Sequence, residues 1–316
     1  MFEFKTIAQV KETMSDKSAW VIDEVISSST TLLYGESEAG KSFLVSALIA
    51  SLTTGKPFLG REVPDHEFKV LVAYTDDAGD REYVERIESA LPSGQDAQGT
   101  ILLNLPVMRT LGMWQDLLDT AKAQGINFLV IDNLTQAIDG EMNKDKPVRD
   151  FFEGVRLFVK EGIPVVVVGH SSEKTGMNGG KSDRPMGHSA IVQSIRWRIF
   201  VRRNGDVVTL KFAGNHAKPH EIKVKQGLGA VFEELSATSS EEIVEKKQRR
   251  DSTKLDTNNE IAAWVVANCQ GASQRQTAKA IADKFGGSWS SYQTSLSKRD
   301  LSGLLTQGAA NGWGLK

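Results

Sequence analysis

The stretch YGESEAGKSF (residues 34–43) has the spacing G-x-x-x-x-G-K-[ST] and sits directly between two apolar runs. Glycines in such a loop let the backbone turn so that successive N–H groups point inward, and a helix beginning there adds its positive end. A lysine then reaches outer phosphates and a serine hydroxyl holds magnesium. Gly35, Gly40, Lys41 and Ser42 stand at those positions, and Glu36, Ser37, Glu38, Ala39 and Phe43 complete the segment. A pattern this short gains weight only from context, which is a strand before it and a helix after it. Residues 31–34 read as the strand and 44–53 as the helix, so the segment is expected to bind ATP with Mg2+.

Working outward, further continuous apolar runs lie at 70–75, 128–131 and 165–168. Runs without alternation suit parallel strands covered on both faces. Between them, 81–91, 114–123 and 148–159 have helical spacing, the last placing Val148, Phe151, Val155 and Phe158 on one stripe. Strand and helix alternate, which predicts an α/β, doubly wound, mostly parallel sheet. Beyond Gly187 the pattern changes to RWRIFVRR and VVTLKF, alternating runs joined at Asn204-Gly205, which predict antiparallel strands at one edge.

Residues 241–256 are dense in charge and poor in apolar side chains, fitting an exposed helix or a linker. The reading is an ATPase domain over 1–240, a charged linker over 241–256 and a small domain over 257–316. The last piece reads as three helices and a two-strand ribbon around Asn311-Gly312, a winged-helix pattern. Its six basic residues outnumber its three acidic ones. In its third helix Ser290, Ser291, Gln293 and Thr294 could reach base edges and Lys298 and Arg299 phosphates, or the module could dock a protein.

A formal charge of −2 over 316 residues excludes binding to nucleic acid or membrane by bulk electrostatics, and leaves room for local patches. The single cysteine, Cys269, cannot form an internal disulfide. No leader is evident, and no apolar stretch approaches the roughly 20 residues that span a bilayer. A cytoplasmic protein without a membrane segment is expected.

A magnesium site needs a second acidic group at the end of a neighbouring strand, and FLVIDNL supplies Asp132 beside Ser42. Hydrolysis needs a carboxylate to orient or deprotonate water, and KVLVAYTDD offers Asp76 and Asp77.

With GESEAGKS, TGKPFLG, the acidic pair, VIDNL, a histidine after the fourth strand, GHSAI and SIRW in this order, the chain resembles RecA-fold ATPases of the plasmid RepA type. These are ring-forming replicative helicases related to the DnaB and RecA families. The resemblance runs from about Trp20 to Phe232. It implies a ring, six subunits by family habit, that moves on single-stranded DNA of a phage, plasmid or other mobile element. An ATP-switched filament of the RecA kind and an ATP-dependent DNA-binding regulator are the rival readings. The family has Glu-Asp where this chain has Asp76-Asp77, so Asp76 aligns with its catalytic carboxylate counting from the strand. Counting back from Arg86, which resembles a base-contacting arginine, favours Asp77. His170 stands where the family has a phosphate-sensing His pair, and is otherwise a structural strand-end histidine. Arg196 of SIRW matches the arginine that enters a neighbour's nucleotide site, or else stacks on Trp197. KFAGNHAK falls where the family has a lysine near the γ-phosphate, with His216 in the expected place and Lys218 two residues on. Lys174, Lys181 and Arg184, in the polar segment 171–185 that such motors turn toward the central channel, are candidates for DNA phosphates; a surface loop is the alternative reading.

Overall fold

Val70–Tyr74, Phe128–Asp132 and Val165–His170 are buried along almost their whole length, as strands covered on both faces must be. The computed structural model describes residues 4–14, 18–172 and 183–316. In chain order the first unit contains α1 (Ile7–Met14), β1 (Trp20–Ile22), β2 (Ile26–Ser27), β3 (Thr30–Gly35), α2 (Lys41–Thr54), β4 (Val70–Tyr74), α3 (Gly79–Ala90), β5 (Thr100–Asn104) and α4 (Leu111–Ala123). It continues with β6 (Phe128–Asp132), α5 (Leu134–Ala137), α6 (Asp145–Lys160), β7 (Val165–His170), α7 (Ala190–Ser194), β8 (Trp197–Asn204), β9 (Val207–Gly214), β10 (His220–Gln226) and β11 (Phe232–Thr238).

Nine strands form one sheet in the order β11-β10-β9-β8-β3-β7-β6-β4-β5. The six from β8 to β5 run parallel, and the remaining three join by antiparallel pairing. This is the α/β architecture expected, with β3 in the interior and flanked by β7 and β8. Each face carries its own apolar layer. On one, Leu44, Val45, Leu48, Ile49 and Leu52 of α2 pack with Tyr83 and Ile87 of α3. On the other, Trp114 of α4 meets Phe151 and Phe158 of α6 edge-on, at centroid distances of 5.2 and 6.4 Å. Gly154 makes that contact possible, since a Cβ there would lie 2.2 Å from the Trp114 ring. Filling that space would overpack the layer, at about 1–3 kcal/mol.

Four differences from the sequence reading have physical causes. The edge strand β5 is only half-buried, so TILLN lacks the long apolar run that marks its neighbours. The outermost strand β11 is exposed along most of its length and carries FEELSAT, a polar pattern. The short β1–β2 pair has too few residues for any period to show. In the β8–β9 hairpin Asn204 pairs with Val207, so the two-residue loop is Gly205-Asp206, one residue later than expected, with Gly205 at φ 60°.

The second unit, Glu241–Lys316, has its own core. It comprises α8 (Ser240–Asn268), α9 (Gln274–Phe285), α10 (Trp289–Lys298) and a ribbon of β12 (Leu305–Gln307) and β13 (Trp313–Leu315). Residues 241–256 belong to α8, a continuous helix whose apolar contribution to the core begins at Ile261. Ser273 and Gln276 close a reciprocal capping box at the start of α9, worth about 1 kcal/mol. Among the described residues no helix is long and apolar enough to cross a membrane.

Candidate nucleotide site

Parallel strands deliver their C-terminal ends to one edge, and there the loops can converge. Gly35 of β3 pairs with His170 of β7, and Tyr74 of β4 with Asp132 of β6. Gly35 also pairs with Val201 of β8 so closely that a Cβ would lie 2.3 Å from the Val201 carbonyl oxygen. The loop therefore leaves the sheet at a point only glycine fits. It turns through Glu38 at φ 61° and Gly40 at φ 90°, a left-handed conformation that Gly40 adopts without strain. α2 then begins at Lys41.

Lys41 is only 7% exposed, and its Nζ donates to the loop's own carbonyls, Gly35 at 3.3 Å and Glu36 at 2.7 Å. Burial lowers its pKa and the charge of Asp132 opposes the shift. The amine is thus held under the loop, where a phosphate oxygen could replace a carbonyl as its partner. Ser42 Oγ donates to Asp132 Oδ2 at 2.9 Å, and Tyr83 Oη donates to the same oxygen at 2.6 Å. Burial raises the pKa of Asp132, while the bonds from Tyr83 and Ser42 pull it back down. Burial also pushes the Tyr83 phenol well above its ordinary value, so it stays protonated and remains a donor.

Asp76 Oδ1 accepts from Gln136 Nε2 at 2.8 Å. Gln136 lies on α5, whose start is capped by Asn133 through its side-chain oxygen. His170 is half-buried, and burial followed by the charge of Lys41 lowers its pKa, favouring neutral imidazole near pH 7. Arg86 lies 4.8 Å above the Phe43 ring and pairs with Glu82 at 2.6 Å. Lys41, Ser42, Phe43, Asp76, Glu82, Arg86, Asp132, Asn133 and His170 line a single cleft of about 370 Å³, which also holds Arg203, while Tyr83 and Gln136 stand behind its lining. Arg203 donates to Gln226 Oε1 at 2.7 Å and to the Gly205 carbonyl at 3.0 Å.

Chemically the cleft can receive a triphosphate and its metal. A left-handed glycine at a helix start and a buried lysine held under the loop suit phosphate. The Ser42 hydroxyl and the Asp132 carboxylate are hard oxygen donors already 2.9 Å apart, the donor type Mg2+ takes.

Of the residues expected in the site, Ser37, Glu38, Gly40, Lys41, Ser42, Phe43, Asp76, Arg86, Asp132 and His170 line this cleft. Gly35, Glu36 and Ala39 form the loop beneath it, with Ala39 N donating to the Glu36 carbonyl. Asp77 is exposed and lies outside the lining. Arg196 lies elsewhere: β8 runs parallel to β3 with Trp197 opposite Thr31, so Arg196 sits at the far edge of the sheet from its own loop. There it is exposed and, with Gln193, Arg198 and Asn215, borders a small pocket of about 130 Å³. The segment containing His216 and Lys218 follows β9 at that same far edge, and His216 Nδ1 is 3.1 Å from Ser27 Oγ. It is therefore remote from the γ-phosphate position of its own cleft. The Arg184 carbonyl accepts from Ser172 N, whereas Lys174 and Lys181 lie outside the described residues. Lys298 and Arg299 are exposed at the end of α10 in the second unit. Sequence reasoning missed Tyr83, Gln136 and Arg203.

A phosphate loop between strand and helix, with its lysine, serine and a strand-end aspartate on one cleft, defines a P-loop NTPase. A family model described as AAA domain matches residues 3–176, more than half of the chain, and the chain belongs to that family. Among solved structures, the ATPase domain of G40P is similar with a TM-score of 0.52 and 10% identity, covering 73% of this chain and 97% of that one. The fold is accordingly RecA-like, a mostly parallel sheet with antiparallel edge strands. No curated protein matches the chain in sequence.

Proposed function

We propose that the protein hydrolyses ATP and couples the cycle to movement on single-stranded DNA as a ring of identical subunits. The observation that carries this is the convergence of Lys41, Ser42, Asp76, Asp132 and His170 on one cleft. Lys41 holds the outer phosphates, and Ser42 and Asp132 hold Mg2+, which neutralises charge on the β- and γ-phosphate oxygens when bound. Asp76 orients the attacking water, a role supported by its place in the lining and by its hydrogen bond from Gln136. Asp77 has neither. Neutral His170 reports the state of the γ-phosphate, and Arg86 with Phe43 meets the base. Arg196 acts on a neighbour's nucleotide, a role consistent with its distance from its own cleft. A heterologous contact of this kind closes into a ring or runs on as a filament.

The resemblance to the plasmid RepA type favours a ring of six, cytoplasmic, from a phage, plasmid or other mobile element. Lys174, Lys181 and Arg184 are assigned to single-strand phosphates. The second unit, read as a winged helix, contacts duplex DNA through Lys298 and Arg299. A filament-forming switch is the second reading. One observation favours it: Asp76 is a methylene shorter than the family's glutamate, and the shorter reach would slow hydrolysis. Negative-stain microscopy with a non-hydrolysable ATP analogue and single-stranded DNA separates the two. Closed rings and DNA-stimulated ATPase are expected; filaments favour the switch, and no ATP hydrolysis at all removes the motor reading.

A further inference from the structure

We infer that Tyr83 is a positioning residue for the magnesium site, acting through Asp132. The inference rests on the reading of this cleft as a nucleotide site. Asp132 Oδ2 is shared by two donors, Tyr83 Oη at 2.6 Å and Ser42 Oγ at 2.9 Å, whereas its Oδ1 has no hydrogen bond among the described residues. The two donors differ in what metal binding asks of them. Ser42 is itself a metal-ligand candidate, so its hydroxyl must reorient when a cation arrives. Tyr83 can keep its bond to Asp132 throughout. It is 2% exposed, packed in the layer of α2 and α3, and its hydroxyl meets Asp132 across 49 residues of chain.

A carboxylate on a strand end can rotate about its terminal bond, and that torsion is broad. Pinning Oδ2 to a rigid, buried phenol fixes the rotation and presents Oδ1 to the cleft, where the metal or its water would stand. The bond also supplies a charge-assisted donor to a carboxylate with little access to water, which keeps it a good ligand. A tyrosine placed here only to fill space would serve as well without its hydroxyl.

Tyr83→Phe removes that one oxygen and keeps the ring. Binding of a fluorescent ATP analogue, measured in EDTA and across a Mg2+ series, reads the metal separately from the nucleotide. Losses on removing such outer partners run to about 10–100-fold in metal affinity. The expected result is a Mg2+ midpoint raised about tenfold or more, with the affinity in EDTA nearly unchanged and the thermal midpoint lowered by a few degrees, because a buried carboxylate loses one of its donors. In an Asp132→Asn background the same change should have no effect on the Mg2+ series. A Tyr83→Phe midpoint within about twofold of the parent, or an equal shift in the Asp132→Asn background, overturns the inference. A parent protein that binds no nucleotide overturns the nucleotide-site reading first and the inference with it, an outcome visible before any variant is made.

Discussion

Asp76→Asn is the perturbation on which the proposed chemistry turns. The side chain is exposed and nearly isosteric with asparagine, whose Oδ1 can still accept from Gln136 Nε2, so α5 keeps its anchor and the fold keeps its stability. What disappears is one negative charge and the capacity to take a proton from water. Positioned general-base help is worth about 10²–10⁴ in rate, so turnover should fall at least a hundredfold, about 2.7 kcal/mol of barrier. Binding should not fall with it. Asp76 makes none of the hydrogen bonds of Lys41, Ser42 or Asp132, and its charge raises the pKa of Asp132, so removing it leaves that carboxylate at least as well ionised. Steady-state ATPase and equilibrium binding of Mg2+·ATP on the same preparations make the test. A variant that hydrolyses at the parental rate refutes the assignment and moves the role to Asp77 or away from this pair. Asp76→Glu, which lengthens the reach toward the family residue, then separates the two functional readings. Faster hydrolysis accompanied by faster strand separation belongs to a motor, and faster hydrolysis with a shorter DNA-bound lifetime belongs to a switch.

Lys41→Ala removes a buried amine that among the described residues bonds only loop carbonyls, so circular dichroism should be unchanged while ATP hydrolysis is lost; parental hydrolysis would rule out the phosphate-loop assignment. Arg196→Ala should retain nucleotide binding and lose most hydrolysis, and mixing it with Lys41→Ala should restore part of the activity, because some subunits then pair an intact loop with an intact neighbouring arginine. No recovery at any ratio argues against a role in trans. A pH dependence follows from His220, 8% exposed and stacked on Phe212 at 4.4 Å, whose pKa is lowered chiefly by burial. A depressed folded pKa means the neutral form is favoured on folding, so this stability is fully present above the ordinary histidine value of about 6.5 and is lost as pH falls through the lower folded value. The thermal midpoint should drop between pH 7 and pH 5, and His220→Phe should flatten the drop; an unchanged slope shows that His170 and His216, also lowered, account for it.

How much of this was legible in the sequence depended on the range over which each feature is specified. The phosphate loop is local: the glycines, Lys41 and Ser42 lie within eight residues of Gly35, and the strand and helix that confirm it adjoin it. Asp132 and His170 could be proposed because a strand end is visible as the last residue of an apolar run, and parallel strands bring their ends together. Tyr83 could not. On α3 it lies four residues before Ile87, a helical spacing that reads as core stripe, and it is indeed in the core. That its hydroxyl faces a carboxylate rather than apolar carbon is fixed by how far α3 is set over β6, which no spacing encodes.

The arginines show the same limit along one strand. Neighbours on a strand point to opposite faces, so VRRNG holds one arginine of each kind, and only the pairing of β8 with β3 and β9, which brings Gln226 of β10 within reach, selects Arg203 for the cleft. Arg196 and Arg203 are seven residues apart, which at roughly 3.3 Å per residue is most of the sheet's depth along its strands. One strand thus carries one arginine to its own nucleotide edge and holds another at the far edge. If Arg196 serves a second subunit, that subunit's loop must meet the far edge of this sheet, and substitutions around Gln193 and Asn215 should disturb assembly before they disturb nucleotide binding.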